Sequence, residues 1–274
     1  MKTIDSLLEV AGGFDGIVLD QYGVLHDGTE AYPGAVAALE ALRGAGHRLA
    51  VLSNSGKRAA INAARIARMG FDPALFEVVM TSGEALREDL ARGAVPHRRL
   101  WPVEGAPGDA AAFADGLDAA LVDGPEEAEA VLLMGLPPGA DADALGARMA
   151  GLPVICSNPD RASPRAGGGT EASPGALAHA HAAAGGAVRW YGKPHRPVFD
   201  AVVRAMGTER LLMVGDSPEH DVAGGAGAGW ATCLVMGGLH AARLGGDPAR
   251  IAALCEAEEA PVPDYAIPAL GRRA

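Results

Sequence analysis

Between residues 14 and 28, a short apolar run ends on a carboxylate and breaks at once into a glycine turn. Ile17 to Leu19 are continuously apolar, which is typical of a short strand buried on both faces. Asp20 follows this run, and Gly23 lets the chain turn away beyond the end of the strand. Ligands of open α/β sheets bind at that edge, so the aspartate is placed either to act as a nucleophile or to cap an ordinary turn.

Polar groups also follow other predicted strands further along the chain. They are a hydroxyl with an amide beside it, a lysine, and an acidic pair: Ser53 and Asn54, Lys193, and Asp216 with Asp221. Because the carboxyl ends of parallel strands share one edge of a sheet, we expect these side chains to gather near Asp20. Carboxylate oxygens suit a hard cation, so Asp20 and the acidic pair predict a metal site.

Charge and cysteine content narrow the classes of function. A formal net charge of −11 over 274 residues argues against a nucleic-acid surface. If the substrate is an anion, positive groups and a metal must be concentrated locally. Three widely spaced cysteines form neither a disulfide framework nor a zinc-binding spacing, which fits a reducing cytoplasm. No apolar run approaches the ~20 residues that span a bilayer, so we expect a soluble cytoplasmic protein without a membrane partner.

Two separate patterns of alternating strands and helices indicate two domains. The first pattern runs to about residue 91 and resumes with predicted strands at 187–191 and 211–215. The residues between have a strand-and-helix pattern of their own. We therefore predict an α/β fold with a discontinuous core domain, residues 1–91 and 187–274, and an inserted α/β domain, residues 92–186.

The inserted domain contains a segment rich in turn-forming residues, 158–170. We expect this segment to be a loop that could close over a ligand. A helix is predicted directly after it, with Ser173 as the capping residue and Pro174 as the first helical residue.

Four motifs of the chain resemble those of the haloacid dehalogenase superfamily of hydrolases. They are Asp20-Gln-Tyr-Gly-Val, Ser53-Asn54, Lys193-Pro and Gly215-Asp216-Ser-Pro-Glu-His-Asp221. The resemblance covers essentially the whole chain. The position of the insert and the segments Val24-Leu-His-Asp-Gly28 and Asn158-Pro-Asp160 are similar to class IIA members, which include sugar-phosphate, nucleotide, pyridoxal-phosphate and phosphoglycolate phosphatases.

The resemblance implies a Rossmann-like, doubly wound parallel sheet with an α/β cap, and a Mg²⁺-dependent phosphatase of a small phosphorylated metabolite. By this resemblance Asp20 would be the nucleophile that forms an aspartyl-phosphate, and Ser53 and Lys193 would hold the phosphoryl oxygens. A fixed ammonium and hydroxyl suit that role, because the transferred phosphoryl group spreads negative charge over its oxygens. The implied ligands of Mg²⁺ are Asp20, Asp216, Asp221 and the main-chain carbonyl of Tyr22.

Substrate contacts and assembly are implied in the same way. The residues expected to contact the substrate are Tyr22, Asn54, Asn158 and Asp160. Class IIA relatives commonly pair through their caps, so a homodimer is the expected assembly.

One residue departs from the phosphatase pattern. In the phosphatases a second aspartate stands two residues after the nucleophile, where it protonates the leaving group and then activates water; here the residue is Tyr22. A phenol with an unperturbed pKa of ~10 cannot replace a carboxylate as a base at neutral pH. His26 and Asp27, on the loop that leaves the nucleophile, are the candidate substitutes.

Two alternatives stay open beside the phosphatase. Asp-x-Tyr-Gly also resembles the superfamily's dehalogenases, in which Asp20 would displace halide from carbon without a metal. The intact pair Asp216 and Asp221 and the type of insert argue against this reaction. The other alternative is a protein that binds a phosphorylated ligand for regulation and has little turnover.

Overall fold

The computed structural model describes residues 1–164 and 170–271. Its strands are β1 Lys2–Thr3, β2 Gly16–Leu19, β3 Leu49–Ser53, β4 Val78–Thr81, β5 Arg99–Val103, β6 Ala120–Leu121, β7 Ala130–Leu133, β8 Val154–Cys156, β9 Ala162–Pro164, β10 Thr170–Ala172, β11 Val188–Trp190, β12 Leu211–Gly215, β13 Ala231–Val235 and β14 Tyr265–Ile267. Its α-helices are α1 Ala35–Gly44, α2 Ala59–Arg68, α3 Ser82–Ala91, α4 Asp109–Ala114, α5 Ala142–Met149, α6 Pro174–Ala183, α7 Arg196–Met206, α8 Ala223–Gly227, α9 Ala241–Leu244 and α10 Ile251–Ala257.

The chain divides into two compact units, each with its own parallel sheet. The first unit comprises Met1–Ser53, Ala60–Met80 and Phe199–Ala274, and the second comprises Asn54–Ala59 and Thr81–Val198. The second unit contains the whole of the segment predicted as an insert and also takes in α3 and β11.

The sheet of the first unit has seven strands in the order β1-β14-β13-β12-β2-β3-β4. The strand order reverses at β2, which confirms the predicted doubly wound α/β fold. Leu19 of β2 lies opposite Val51 of β3 and Val214 of β12, and both pairings are parallel. Ile17, Val18 and Leu19 are fully buried, as their continuous apolar run predicts. The residues that follow β2, β3 and β12 therefore lie at one edge of this sheet.

The apolar face of α1 covers this sheet. Leu39 and Leu42 recur at helical spacing, and both are buried in the core that also contains Leu19 and Val214. Burial of each such leucine stabilises the fold by about 1.5–3 kcal/mol relative to exposure. The helix thus holds in place the central strands on which the acidic residues depend.

The sheet of the second unit has five parallel strands in the order β11-β8-β7-β5-β6. β11 pairs with β8, with Val188 opposite Val154 and Trp190 opposite Cys156. The sequence pattern assigns residues 187–191 to the core domain, and this pairing corrects that assignment. A short apolar run identifies a strand, but it carries no information about which sheet the strand joins.

Part of the predicted loop 158–170, together with the residues that follow it, forms the two short strands β9 and β10. β9 and β10 pair in the antiparallel sense, with Ala162 opposite Ala172. Residues 165–169 of the predicted loop lie outside the described residues. Helix α6 begins at Pro174 as predicted, but the buried side chain of Ser173 makes no cap hydrogen bond.

None of the described helices is both long enough and apolar enough to cross a membrane. The three cysteines, Cys156, Cys233 and Cys255, are buried and free. Burial raises the pKa of Cys156 to about 12, so this thiol stays protonated at neutral pH.

A buried polar network joins α3 to β11 in the second unit. The Asp89 side chain accepts hydrogen bonds from the Tyr191 hydroxyl at 2.7 Å, from Arg189 at 3.2 Å and from Arg92 at 2.8 Å. Arg189 also donates to the Tyr191 hydroxyl oxygen at 3.0 Å. Asp89 is 2% exposed, so removal of one donor leaves part of a buried carboxylate unsatisfied. This network anchors the chain shortly before Lys193.

We expect Tyr191→Phe to lower the free energy of unfolding by about 1.5–3 kcal/mol, because a hydrogen bond to a charged group is lost. Urea titration of the full chain measures this difference. Tyr265→Phe is the matched control, since the Tyr265 hydroxyl has no hydrogen-bond partner among the described residues. Equal losses for both variants would show that the hydroxyl of Tyr191 contributes nothing specific.

Candidate active site

Three carboxylates converge at the carboxyl edge of the first unit's sheet. Asp20 directly follows β2, whereas Asp216 and Asp221 follow β12. Their ligand oxygens all lie within 4.8 Å of one another. Asp20 is half-buried, and Asp216 and Asp221 are 4% and 1% exposed. The structure therefore brings together the three acidic residues predicted from the sequence.

Main-chain hydrogen bonds fix the positions of these carboxylates. The Asp20 N–H donates to the Val214 carbonyl at 2.9 Å, which extends the pairing of β2 with β12. The Leu239 N–H donates to Asp216 Oδ2 at 2.6 Å. The Ser217 N–H donates to Asp221 Oδ2 at 3.0 Å.

The turn after Asp20 packs directly against the acidic cluster. Gly23 has a φ of 82°, in the left-handed region that favours glycine. A Cβ atom at this position would lie 1.7 Å from Asp216 Oδ2, which no side chain can tolerate. The glycine in the first motif is therefore required both by the turn and by the close approach of Asp216.

The composition of the cluster fits a hard divalent cation. Asp20, Asp216 and Asp221 offer only oxygen ligands, as Mg²⁺ and Ca²⁺ prefer. Like charges at this separation repel one another, and a cation among them lowers that repulsion. The cluster is thus able to hold a divalent metal.

Ser53 lies at the same edge of the first unit's sheet. It is the last residue of β3, two residues beyond Val51, the partner of Leu19. The side chain is half-buried. Sheet register therefore accounts for the position of this hydroxyl.

Asn54, Asp160 and Lys193 form a second group within the second unit. Asn54 Oδ1 accepts the Lys193 N–H at 2.6 Å, and Asn54 Nδ2 donates to the Lys193 carbonyl at 3.1 Å. Asn54 Nδ2 also donates to Asp160 Oδ1 at 2.7 Å. Asn54 and Lys193 are 9% and 3% exposed. The predicted site residues thus form two groups, one in each unit, and their joint action on one phosphoryl group stays a prediction.

Asn158 has a local role in the same segment. Its Oδ1 accepts the Asp160 N–H at 2.9 Å, and its carbonyl accepts a hydrogen bond from Cys156 Sγ at 3.1 Å. Asn158 therefore shapes the turn that presents Asp160. Sequence reasoning missed the contact of Asp160 with Asn54, because no local pattern links residues 106 positions apart.

Comparison with known proteins identifies the family. A model of the haloacid dehalogenase-like hydrolases matches residues 17–116, and a HAD-hydrolase-like model matches residues 190–261. Human glycerol-3-phosphate phosphatase is 30% identical, over 92% of this chain and 87% of that protein. The chain belongs to the haloacid dehalogenase-like hydrolases.

Further relatives agree with this membership. Human chronophin is 29% identical, with 85% of each chain covered. A haloacid dehalogenase-like hydrolase from Brucella suis 1330 superimposes with a TM-score of 0.80 at 30% identity, over 97% of this chain and 99% of that chain. The similarity extends over both units, so the whole chain is a hydrolase of this family.

In this haloacid dehalogenase-like hydrolase, Tyr22 packs on the loop that follows Asp20. Its ring meets the His26 ring edge-on with centroids 6.4 Å apart. A Cβ atom at Gly28 would lie 3.2 Å from Tyr22 Cε2, so the phenol ring also covers this glycine. The side chain is nevertheless 40% exposed.

His26 is not poised to act as a base. It is 1% exposed, and its Nδ1 accepts the Gly28 N–H at 3.1 Å, which places the proton of the neutral ring on Nε2. Burial, followed by the positive charge of Arg65, lowers the pKa of His26 to about 4. The ring is therefore neutral at pH 7, and the nitrogen able to accept a proton is already engaged.

Asp27 is occupied in the same loop. Its Oδ1 accepts hydrogen bonds from the Thr29 N–H at 2.8 Å, the Thr29 hydroxyl at 2.7 Å and the Glu30 N–H at 2.9 Å. These bonds lower the pKa of Asp27 to about 2. Neither candidate substitute named from the sequence thus has the protonation behaviour of an acid and base at neutral pH.

Asp216→Asn should weaken the binding of divalent cations, because one charged oxygen ligand is lost while the shape is kept. We expect added Mg²⁺ to raise the melting temperature of the natural protein and to have a much smaller effect on the variant. Asp5→Asn, at an exposed position outside the cluster, is the control. A Mg²⁺-induced shift of equal size in all three proteins would contradict a metal site at Asp216.

His26→Asn should remove a source of acid instability. The pKa of His26 is lowered from 6.5 to about 4 in the folded protein, so the unfolded chain binds a proton first as pH falls. The stability that the neutral ring contributes to the folded protein is therefore fully present above about pH 6.5, and it is lost as the pH falls towards about 4. Asn keeps an acceptor for the Gly28 N–H and does not titrate.

Urea unfolding from neutral to mildly acidic pH measures this effect. The free energy of unfolding of the natural protein should fall more steeply with acidity than that of His26→Asn. His47→Asn, at a half-exposed position, should follow the natural protein. Parallel curves for the natural protein and His26→Asn would show that His26 does not titrate differently in the two states.

Proposed function

We propose that the protein is a Mg²⁺-dependent phosphatase that acts on a small phosphorylated metabolite, with Asp20 as the nucleophile. The observation that carries this proposal is the convergence of Asp20 with Asp216 and Asp221 at the edge where the strand order reverses. The names of the relatives, glycerol-3-phosphate phosphatase and chronophin, support a phosphate substrate. A small phosphomonoester is therefore the proposed substrate class.

The proposed reaction has two steps. An oxygen of Asp20 attacks phosphorus, the bond from phosphorus to the leaving oxygen breaks, and an aspartyl-phosphate forms. Water then attacks that phosphorus, which releases inorganic phosphate and restores Asp20. By the family resemblance, the Ser53 hydroxyl and the Lys193 ammonium would hold the phosphoryl oxygens and stabilise their charge.

The proposed ligands of Mg²⁺ are Asp20, Asp216, Asp221 and the main-chain carbonyl of Tyr22. When bound, the ion supplies positive charge that offsets the charge of the carboxylates and of the phosphoryl group. The buried Asp216 and Asp221 are held by the main-chain donors described above, so they need little reorganisation to accept it.

The proposed substrate preference follows from the residue at position 22. Proton transfer by a positioned side chain typically contributes about 10² to 10⁴ in rate, and the aspartate that supplies it in the family's phosphatases is replaced here by Tyr22. His26 and Asp27 are engaged in the loop. We therefore expect aryl and acyl phosphates, whose leaving groups need little protonation, to react faster than alkyl phosphates. Hydrolysis of the aspartyl-phosphate should be slow.

Tyr22→Asp tests this account. The new carboxylate should raise kcat for alkyl phosphates such as glycerol phosphate by up to about 10² to 10⁴, because it supplies the missing proton transfer. Aryl phosphates should gain less in the phosphorylation step. Steady-state kinetics with both substrate types measures the difference, and Tyr22→Phe is the control that removes only the hydroxyl.

Covalent trapping supplies the second measurement. The natural protein should accumulate a phosphoryl group on Asp20 and on no other carboxylate, which peptide mass spectrometry detects after acid quenching. If Tyr22→Asp folds and binds Mg²⁺ yet gains nothing on alkyl phosphates, and the natural protein shows no trapped phosphoryl group, the proposed mechanism is wrong.

Tyr22 also keeps a dehalogenase reaction among the candidates. Release of halide from 2-haloacids that survives both EDTA and Asp216→Asn would favour that reaction. Tight phosphate binding without turnover would favour a regulatory protein. The free, buried cysteines support the proposed cytoplasmic location, and the homodimer stays a prediction.

A further inference from the structure

We infer that Asn54 and Asp160 are positioning residues that fix Lys193 for its contact with the phosphoryl group. Asp160 orients the amide of Asn54, and that amide holds the main chain of Lys193. The inference rests on the proposed function of Lys193. It gives Asn54 and Asp160 a role different from the direct substrate contact that the family resemblance implies.

The Asn54 amide binds both main-chain groups of one residue. It accepts the Lys193 N–H at 2.6 Å and donates to the Lys193 carbonyl at 3.1 Å. A single hydrogen bond would leave the main chain free to rotate about it, whereas this pair fixes both peptide planes that flank the Lys193 Cα. Asn54 and Lys193 are both at least nine-tenths buried, so water competes little for these two hydrogen bonds.

Asp160 reinforces the orientation of the amide that the two main-chain groups of Lys193 require. The oxygen and nitrogen of an asparagine side chain have nearly the same shape, so packing alone does not choose between the two orientations. A carboxylate oxygen only accepts, and Asp160 Oδ1 lies 2.7 Å from Asn54 Nδ2. This bond points the nitrogen towards Asp160 and leaves Oδ1 for the Lys193 N–H. The flipped amide would set two donors against each other.

The residue before Lys193 is held by the same segment. Gly192 has a φ of 118°, and a Cβ atom there would lie 2.4 Å from Pro159 Cδ and 2.7 Å from Ser82 Oγ. Pro159 immediately precedes Asp160. The segment thus constrains Lys193 in two ways. Pro159 packs against Gly192, the preceding residue, and Asp160 acts on the Lys193 main chain through the Asn54 amide. A displaced ammonium would lose charge stabilisation at the transition state, and an error of about 1 Å can cost 10²-fold in rate.

A pair of substitutions at Asp160 separates positioning from packing. Asp160→Leu removes the acceptor, and we expect kcat/KM for p-nitrophenyl phosphate to fall by about 10²-fold. Asp160→Asn keeps an oxygen that accepts from Asn54 Nδ2, and should restore at least most of the activity. In a Lys193→Met background, Asp160→Leu should cause no further loss, because its effect acts through the ammonium. Circular dichroism checks folding, and Asp160→Ala replaces Asp160→Leu if the latter does not fold.

Chemical labelling supplies a test that needs no turnover. The chain has three lysines, Lys2, Lys57 and Lys193, and the first two are exposed. Trace acetylation of the full chain, followed by peptide mass spectrometry across a range of pH, reports the reactivity of each amine. Asp160→Leu should change the profile of Lys193 several-fold relative to Lys2 and Lys57, while Asp160→Asn should keep the natural profile.

The outcomes distinguish the inference from the proposed function. A natural protein without phosphatase activity would refute the proposed function, and the labelling would still decide whether Asp160 controls the position of Lys193. An unchanged Lys193 profile in Asp160→Leu overturns the inference. Equal losses of kcat/KM in Asp160→Leu and Asp160→Asn also overturn the inference. So does a double variant, Asp160→Leu with Lys193→Met, whose loss of kcat/KM equals the product of the losses in the two single variants.

Discussion

Parallel pairing between β2 and β12 is the constraint on which the acidic cluster depends. The hydrogen bond from the Asp20 N–H to the Val214 carbonyl continues this pairing to the end of both strands. Asp216 follows two residues after Val214, so the register itself sets two carboxylates side by side. Their mutual repulsion opposes folding, and burial of the central strands offsets it. A cation that binds the cluster would remove much of that cost.

The second unit positions its charged group by a different means. Lys193 lies just beyond a strand, where ladder hydrogen bonds no longer constrain the main chain. The Asn54 amide replaces the ladder by pairing with both polar groups of that residue, and Asp160 orients the amide. The Asn54 amide, which has both an acceptor and a donor, therefore satisfies the main-chain N–H and carbonyl of one residue, as a neighbouring strand does for several residues.

The loop after Asp20 shows why nearby titratable groups do not replace a missing catalyst. His26 is neutral because burial disfavours its charged form, and Asp27 stays ionised because three donors stabilise its charge. Both groups are used to shape the loop. Neither group therefore replaces the carboxylate that is absent at position 22, where this chain has Tyr22.

Local sequence patterns were sufficient to predict the central strands β2, β3 and β12, the α/β class and the polar residues at the ends of these strands. The apolar run at residues 17–19, the helical spacing of Leu39 and Leu42, and Pro174 at the start of a helix all depend on neighbours within a few positions. Periodicity reports such short-range preferences well. The acidic cluster was predictable for the same reason, because parallel strands bring their carboxyl ends to one edge.

Tertiary structure alone decided which sheet β11 joins, which partner Asp160 binds, and that burial lowers the pKa of His26. Each of these depends on packing between distant segments, such as the contact of Asn54 with Asp160 across 106 positions. A pKa depends on the surroundings that burial creates, and those surroundings are absent from the local sequence. The sequence by itself determined the elements and the chemical groups, whereas long-range packing decided their partners and their protonation.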